Sequence, residues 1–178
     1  MDIPHIQDVP RIEDDRGWLE PWFLESEHHN FTAKQINFNM TKKNAFRGFH
    51  FGIGGNAQAK YISCIEGKVV DFVLDLRSKT KEFGKVYRFE LSGEHSSVVC
   101  IPPGFAHGIY GVAEESLMVY ASSQEWNPVN EFTISPLDPA LNLEIDLGTL
   151  MCTERDRKGM YIKDFANYLE KSQPQTLE

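Results

Sequence analysis

No window of this sequence approaches the roughly 18 continuous apolar residues that a membrane-spanning helix requires. The N-terminus also lacks a basic segment followed by an apolar core. Neither a membrane span nor a secretory leader is expected, and the chain reads as cytoplasmic. Cysteine is scarce: Cys64, Cys100 and Cys152 are widely spaced and odd in number, which argues against a disulfide framework. Cys64 and Cys100 lie in apolar runs and read as buried, reduced thiols. Basic charge is in deficit, with 18 Lys and Arg against 26 Asp and Glu and a net charge of -8. That balance excludes a surface built to coat nucleic acid. It leaves open an anionic ligand held by a few local cations. No repeat with a period of about 20 to 50 residues is visible.

What is present points to β-structure. At 178 residues and 41% apolar content the chain reads as one domain with a real core. Residues 1–11, with Pro4 and Pro10, suggest an extended arm. Asp14-Asp15-Arg16-Gly17 is a turn signal, and the polar stretch from Glu25 to Phe31 suits a short helical turn. Gln35 to Met40 alternates amides with apolar groups, as a half-buried strand would. Its amide row is either solvated decoration or the lining of a pocket. From Tyr61 onward short strands follow at Tyr61–Ile65, Lys68–Leu76, Val86–Leu91, Ser97–Ile101, Ile109–Val112, Ser116–Ala121 and Glu131–Ile134. Pro102 to Gly108 reads as a tight loop between two of them. With Gly/Pro turns and no helix-period segments between, the pattern predicts an all-β sandwich, jelly roll or small barrel. Phe165, Tyr168 and Leu169 then fall on one helical face, so a short C-terminal helix is expected, with residues 170–178 as a frayed tail.

The chemistry concentrates between Phe46 and Lys60, where one His, one Arg and one Lys stand among aromatics and glycines. Strict alternation would put Phe46, Gly48 and His50 on one face of a strand, with Arg47, Phe49 and Phe51 on the other. Gly52, Gly54 and Gly55 turn the chain, and Lys60 opens the next apolar run. Metal ligation is not expected. Pro102-x-Gly104-x-x-His107 matches half of a cupin-type metal motif, but the Asn due four residues later is Gly111 and the other half is missing. Acid–base chemistry fits better. His50 is the best base, Lys60 the best stabiliser of developing negative charge, and Tyr120 a weak acid whose ionised form a nearby Lys would favour. Asp71 and Asp156 are both candidates to orient the imidazole. By spacing alone, Asp156 reads as a solvated charge.

These residues come in an order that resembles the dTDP-4-dehydrorhamnose 3,5-epimerase family. The similar blocks are Gln35-x-Asn37, Arg47-Gly48-Phe49-His50, Gln58-x-Lys60, Gly67-x-Val69-x-Asp71, Asp75-Leu76-Arg77, Ile101-Pro102-x-Gly104-Phe105-Ala106-His107-Gly108, Tyr120, Glu131, Asp138-Pro139 and Glu154-Arg155-Asp156. They run from about residue 12 to 160. The resemblance implies a single cupin-type jelly-roll β-barrel over residues 1–178. It also implies a homodimer in which an N-terminal strand joins the partner's sheet, and a site for a nucleotide-linked 4-keto-6-deoxyhexose that uses no metal or cofactor. By the same resemblance His50 is the catalytic base, Asp156 its paired carboxylate, Tyr120 the acid on the opposite face, and Lys60 a cation of the site. Arg47, His107, Glu131, Gln35 and Asn37 fall at binding positions. Asp71 is a second acidic position near the imidazole. Arg16 would contact phosphate or nucleotide, across the dimer in one arrangement.

The implied reaction is proton abstraction beside the C4 ketone, an enolate, and reprotonation from the other face at C3, C5 or both. A 3,4-ketoisomerase and a non-catalytic nucleotide-sugar-binding cupin are the alternatives. The chain departs from the family at Ala121, where Lys is usual, at Glu125-Trp126, at Ile134-Ser135-Pro136-Leu137, and in the Gly-rich loop after His50. These positions are expected to border the sugar and nucleotide pockets.

Overall fold

The computed structural model describes residues 3–24 and 31–172. Its strands are β1 (His5–Asp8), β2 (Ile12–Asp14), β3 (Gly17–Leu19), β4 (Gln35–Lys42), β5 (Phe46–Gly52), β6 (Lys60–Glu66), β7 (Lys68–Asp75), β8 (Val86–Ser92), β9 (Ser97–Ile101), β10 (Phe105–Gly111), β11 (Glu115–Ser122) and β12 (Glu131–Thr133). Two helices follow, α1 (Glu154–Arg157) and α2 (Ile162–Lys171). Two five-stranded antiparallel sheets, ordered β1-β9-β6-β11-β4 and β12-β5-β10-β7-β8, form a cupin-type jelly roll, and β2–β3 makes a separate hairpin.

Three apolar clusters hold this arrangement together. One lies between the sheets and joins Ile62, Val69, Val73, Val99, Ile109 and Met118. A second covers the outer face of the β5-containing sheet, where Phe46, Phe49, Phe51 and Phe72 meet Phe165 of α2. The third covers the other sheet, with Tyr61, Cys100 and Ala121 under Phe31, Trp22 and Phe23. β7 is therefore buried on both faces, which is why its sequence reads as a nearly unbroken apolar run. Its inward positions Val69 and Val73 flank Asp71, placing that carboxyl between the sheets.

The structure departs from the alternation pattern in β5. His107 of β10 stands opposite His50, but Ile109 stands opposite Arg47, so the register shifts between them. β5 carries one residue more than β10 over this stretch, which is a β-bulge. Phe46, Phe49 and Phe51 consequently share one cluster instead of splitting between faces. Gly48 sits at the bulge with φ +126°, and a Cβ there would lie 2.4 Å from the His107 carbonyl oxygen. Only glycine tolerates both conditions.

Other expectations shift as well. β10 begins at Phe105, so His107 lies on a strand and not in the loop before it. β4 is inverted relative to a simple reading. Ile36, Phe38 and Met40 are 58, 70 and 45% exposed, while the amides between them are half-buried. The N-terminal strand β1 pairs with β9 of its own chain and forms one edge of that sheet. α2 extends through Lys171, so the expected tail begins later than residue 170. Its remainder, 173–178, lies outside the described residues, as do residues 25–30 of the helical turn expected from Glu25 to Phe31. Phe31 itself is buried against Phe23 and Tyr61.

Replacing Gly48 by Ala is expected to lower the unfolding free energy by roughly 2–3 kcal/mol, measured by chemical denaturation. An unchanged midpoint would mean that the bulge relaxes at no cost.

Candidate active site

Seven of the residues singled out by sequence line one cavity of about 310 Å³: Gln35, Asn37, His50, Lys60, His107, Tyr120 and Glu131. Strand geometry explains the convergence. Gln35 and Asn37 lie two apart on β4 and so share its inward face. Tyr120 stands directly opposite Asn37 on β11. Lys60 opens β6 beside the last residue of β11, and the bulge sets His50 opposite His107.

His50 Nε2 lies 2.6 Å from Asp156 Oδ1. Asp156 is 2% exposed, so it is not the solvated charge that spacing suggested. The short helix α1 carries it inward. The Thr153 hydroxyl caps that helix by accepting the Asp156 backbone N–H at 3.1 Å. The Gly48 backbone amide also acts on the carboxylate, so the bulge and the dyad are joined. Burial pushes the Asp156 carboxyl upward. The hydrogen bond and charge of His50, with the Thr153 and Gly48 donors, outweigh burial and hold it below the usual range. Asp71, the other candidate partner for His50, lies instead 3.4 Å from Nδ1 of His107. The structure thus joins Asp156, and not Asp71, to the His50 imidazole.

The remaining charges are buried together. Desolvation pulls the Lys60 ammonium down to about 8, opposed by the charges of Glu131 and Asp71. Desolvation raises the Asp71 carboxyl well above its ordinary value, opposed by Lys60. His107 is held well below the usual imidazole range by burial and by the neighbouring Lys60 and His50, and is therefore neutral near pH 7. Tyr120 departs from expectation. Burial, then Glu131, raise its phenol above the ordinary value, and only Arg47 acts the other way. Tyr120 therefore holds its proton at neutral pH, as an acid should.

Two of the expected binding residues lie elsewhere. Arg47 donates to the Met40 carbonyl at 2.9 Å and to the Thr41 hydroxyl at 3.2 Å, close enough for Tyr120 to feel its charge. Arg16 sits in the β2–β3 turn, its side chain 90% exposed and bound to Asp14, and it does not line this chain's cavity. Gln58, Ser122 and Gln124 were not among the candidates, yet with Trp126 they complete the lining. Ser122 and Gln58 stand two residues from Tyr120 and Lys60, so period-two alternation could have found them. Of the departures from the family pattern, Glu125 and Trp126 border a cavity, as expected. Ala121 does not, because it points to the outer cluster behind β11. Ile134 and Pro136 are likewise buried away from the cavity. Among the described residues, no three His, Cys, Asp or Glu side chains converge as a metal ion would need.

A family model described as dTDP-4-dehydrorhamnose 3,5-epimerase matches residues 4–164. The chain belongs to this family. As a member it is an isomerase. The dTDP-4-dehydrorhamnose 3,5-epimerase of Salmonella typhimurium is 34% identical over 136 residues, covering 74% of each chain. The dTDP-4-dehydrorhamnose 3-epimerase of Streptomyces niveus is 29% identical over 85% of this chain and 75% of its own length. Among solved structures, a 3,5-epimerase of Legionella pneumophila in complex with dTDP-4-keto-L-rhamnose superposes with a TM-score of 0.86. It is 28% identical, and the match covers 92% of this chain and 89% of that one.

The buried Lys60 sets an expectation for pH. Its charge is lost as pH rises through about 8, so a reaction that needs the ammonium should show kcat/KM falling above that value. A profile flat to pH 10 would remove Lys60 from the charged machinery.

Proposed function

We propose that this chain epimerises a dTDP-linked 4-keto-6-deoxyhexose at C3, C5 or both, within deoxysugar biosynthesis. The observation that carries the reading is one cavity presenting a His50–Asp156 pair, a protonated Tyr120 and the Lys60 ammonium. The family membership and the named substrates of the relatives support it. The ketone acidifies the hydrogens on its neighbouring carbons. His50, oriented by Asp156, removes one of them and becomes an imidazolium that the Asp156 carboxylate stabilises. Lys60 faces the developing enolate oxygen and offsets its charge where water is largely excluded. Neutral His107 is a further hydrogen-bonding group at that oxygen. Tyr120 then delivers its proton to the opposite face, which inverts the centre. Gln35 and Asn37 supply amide donors and acceptors along the β4 wall for the rest of the ligand.

We also propose that the working unit is a homodimer built on the outer face of β4. Ile36, Phe38 and Met40 form a continuous exposed apolar row on an edge strand, a surface that a free monomer rarely keeps open. The exposed β2–β3 hairpin would then carry Arg16 to the partner's cavity, where its guanidinium suits a diphosphate.

His50→Ala should abolish deuterium exchange from D₂O into a dTDP-4-keto-6-deoxyglucose substrate, a loss of at least roughly 10²-fold; undiminished exchange would falsify the base assignment. Tyr120→Phe should leave exchange partly alive while suppressing inverted product. NMR of the product reports which ring protons vanish, and a ketone found at C3 would select the ketoisomerase instead. For the assembly, light scattering should give the mass of two chains for the native protein and of one for Phe38→Asp. A native mass of one chain removes the dimer from the account.

A further inference from the structure

Glu131 is bonded unlike the other cavity residues. One carboxylate oxygen, Oε2, accepts both the Trp126 indole N–H at 3.0 Å and an Arg155 guanidinium N–H at 2.6 Å. The two donors come from different parts of the fold. Trp126 lies in the segment joining β11 to β12 and walls both the 310 Å³ cavity and an adjoining one of about 410 Å³. Its backbone N–H is fixed in turn by Gln35 Oε1 at 2.6 Å. Arg155 lies on α1, immediately before Asp156.

The Glu131 side chain is almost enclosed, whereas Arg155 is open to solvent. Burial pushes the carboxyl upward. The Trp126 hydrogen bond, the His50 charge and Arg155 outweigh burial, so it is held below the usual range and is ionised at neutral pH. Its charge acts in turn on Lys60 and Tyr120. Among the described residues, the other titratable groups around the two cavities are His50 and Arg47 on β5, Asp71 on β7, His107 on β10, Asp156 on α1, Glu125 beside Trp126, and Lys34 just before β4. Asp71 and Asp156 are each taken up by a histidine. Glu131 is the carboxylate whose charge bears on both Lys60 and Tyr120.

Resting on the epimerase reading, we propose that Glu131 is a positioning residue that ties the Trp126 wall of the sugar cavity to the helix bearing Asp156 and sets a fixed negative charge before Lys60 and Tyr120. It does not exchange protons with substrate. It makes one carboxylate answer for the shape of the pocket and for the protonation of two of its reacting groups.

Glu131→Gln separates charge from shape, since the amide oxygen can still accept the indole N–H. Two readouts apply. In ¹⁵N spectra the Trp126 indole signal, assigned by its loss in Trp126→Phe, should move in Glu131→Gln with the fold retained by circular dichroism. In D₂O exchange assays the alkaline limb of kcat/KM should move to lower pH by on the order of one unit, because both Lys60 and Tyr120 lose the charge that favours their protonated forms. Arg155→Gln should move the same limb the other way, since it removes a cation and leaves Glu131 less neutralised. Opposite shifts from the two variants support the proposal. An unmoved indole signal, or reduced activity with the limb in place in both variants, overturns it. Failure of the epimerase reading itself would look different: the unmodified protein would incorporate no deuterium at all.

Discussion

The Gly48 backbone amide acts on the Asp156 carboxylate, and that carboxylate holds the His50 imidazole at 2.6 Å. Three parts of the chain meet there: a bulged strand, a histidine two residues beyond the bulge, and a four-residue helix more than 100 residues later. Without the extra residue in β5, His50 would not stand opposite His107 at the cavity, and the apolar positions Phe46, Phe49 and Phe51 could not all reach one cluster. The same backbone irregularity therefore serves the core and the chemistry. This explains a close approach in which the His107 carbonyl leaves no space for any side chain at position 48.

Around that pair the protein keeps charges where water is scarce. Lys60, Asp71 and His107 are all buried, and each is pushed toward its neutral form. Such a cluster is costly to assemble. It suits a reaction in which negative charge appears on a ketone oxygen and must be met by groups already in position. The five groups given roles in the chemistry come from five separate elements: His50 from β5, Lys60 from β6, His107 from β10, Tyr120 from β11 and Asp156 from α1. Two of the three apolar clusters hold the outer faces of the two sheets, and the third packs between them. Together they fix the relative placement of those elements.

Much of this was legible in the residues. The all-β class, most strands and the helical face of Phe165, Tyr168 and Leu169 follow from periodicity. The cavity membership of His50, Lys60, Tyr120 and His107 follows from motif order. What was not legible depends on backbone geometry that leaves no periodic trace. The bulge at Gly48 breaks the alternation that a period-two reading assumes. By spacing Asp156 sits in a run of charges, Thr153 to Lys158, that looks solvated; motif order alone paired it with His50, and the helix is what turns it inward. Gln124 occupies a connection between strands, where no repeat predicts direction. β4 shows the limit most clearly. Alternation told that its amides and its apolar residues part company, but not which row meets water.

That strand has a consequence of its own. Each of its rows has a separate task, the amides toward the ligand and Ile36, Phe38 and Met40 toward the outside. A single-residue deletion within it, harmless in many surface segments, would exchange the two rows at once. The hollow would fill with hydrocarbon and the outer face would become polar. Evolution of new sugar specificity along this wall is thus confined to substitution, since a length change anywhere in Gln35–Lys42 strikes both faces of the molecule.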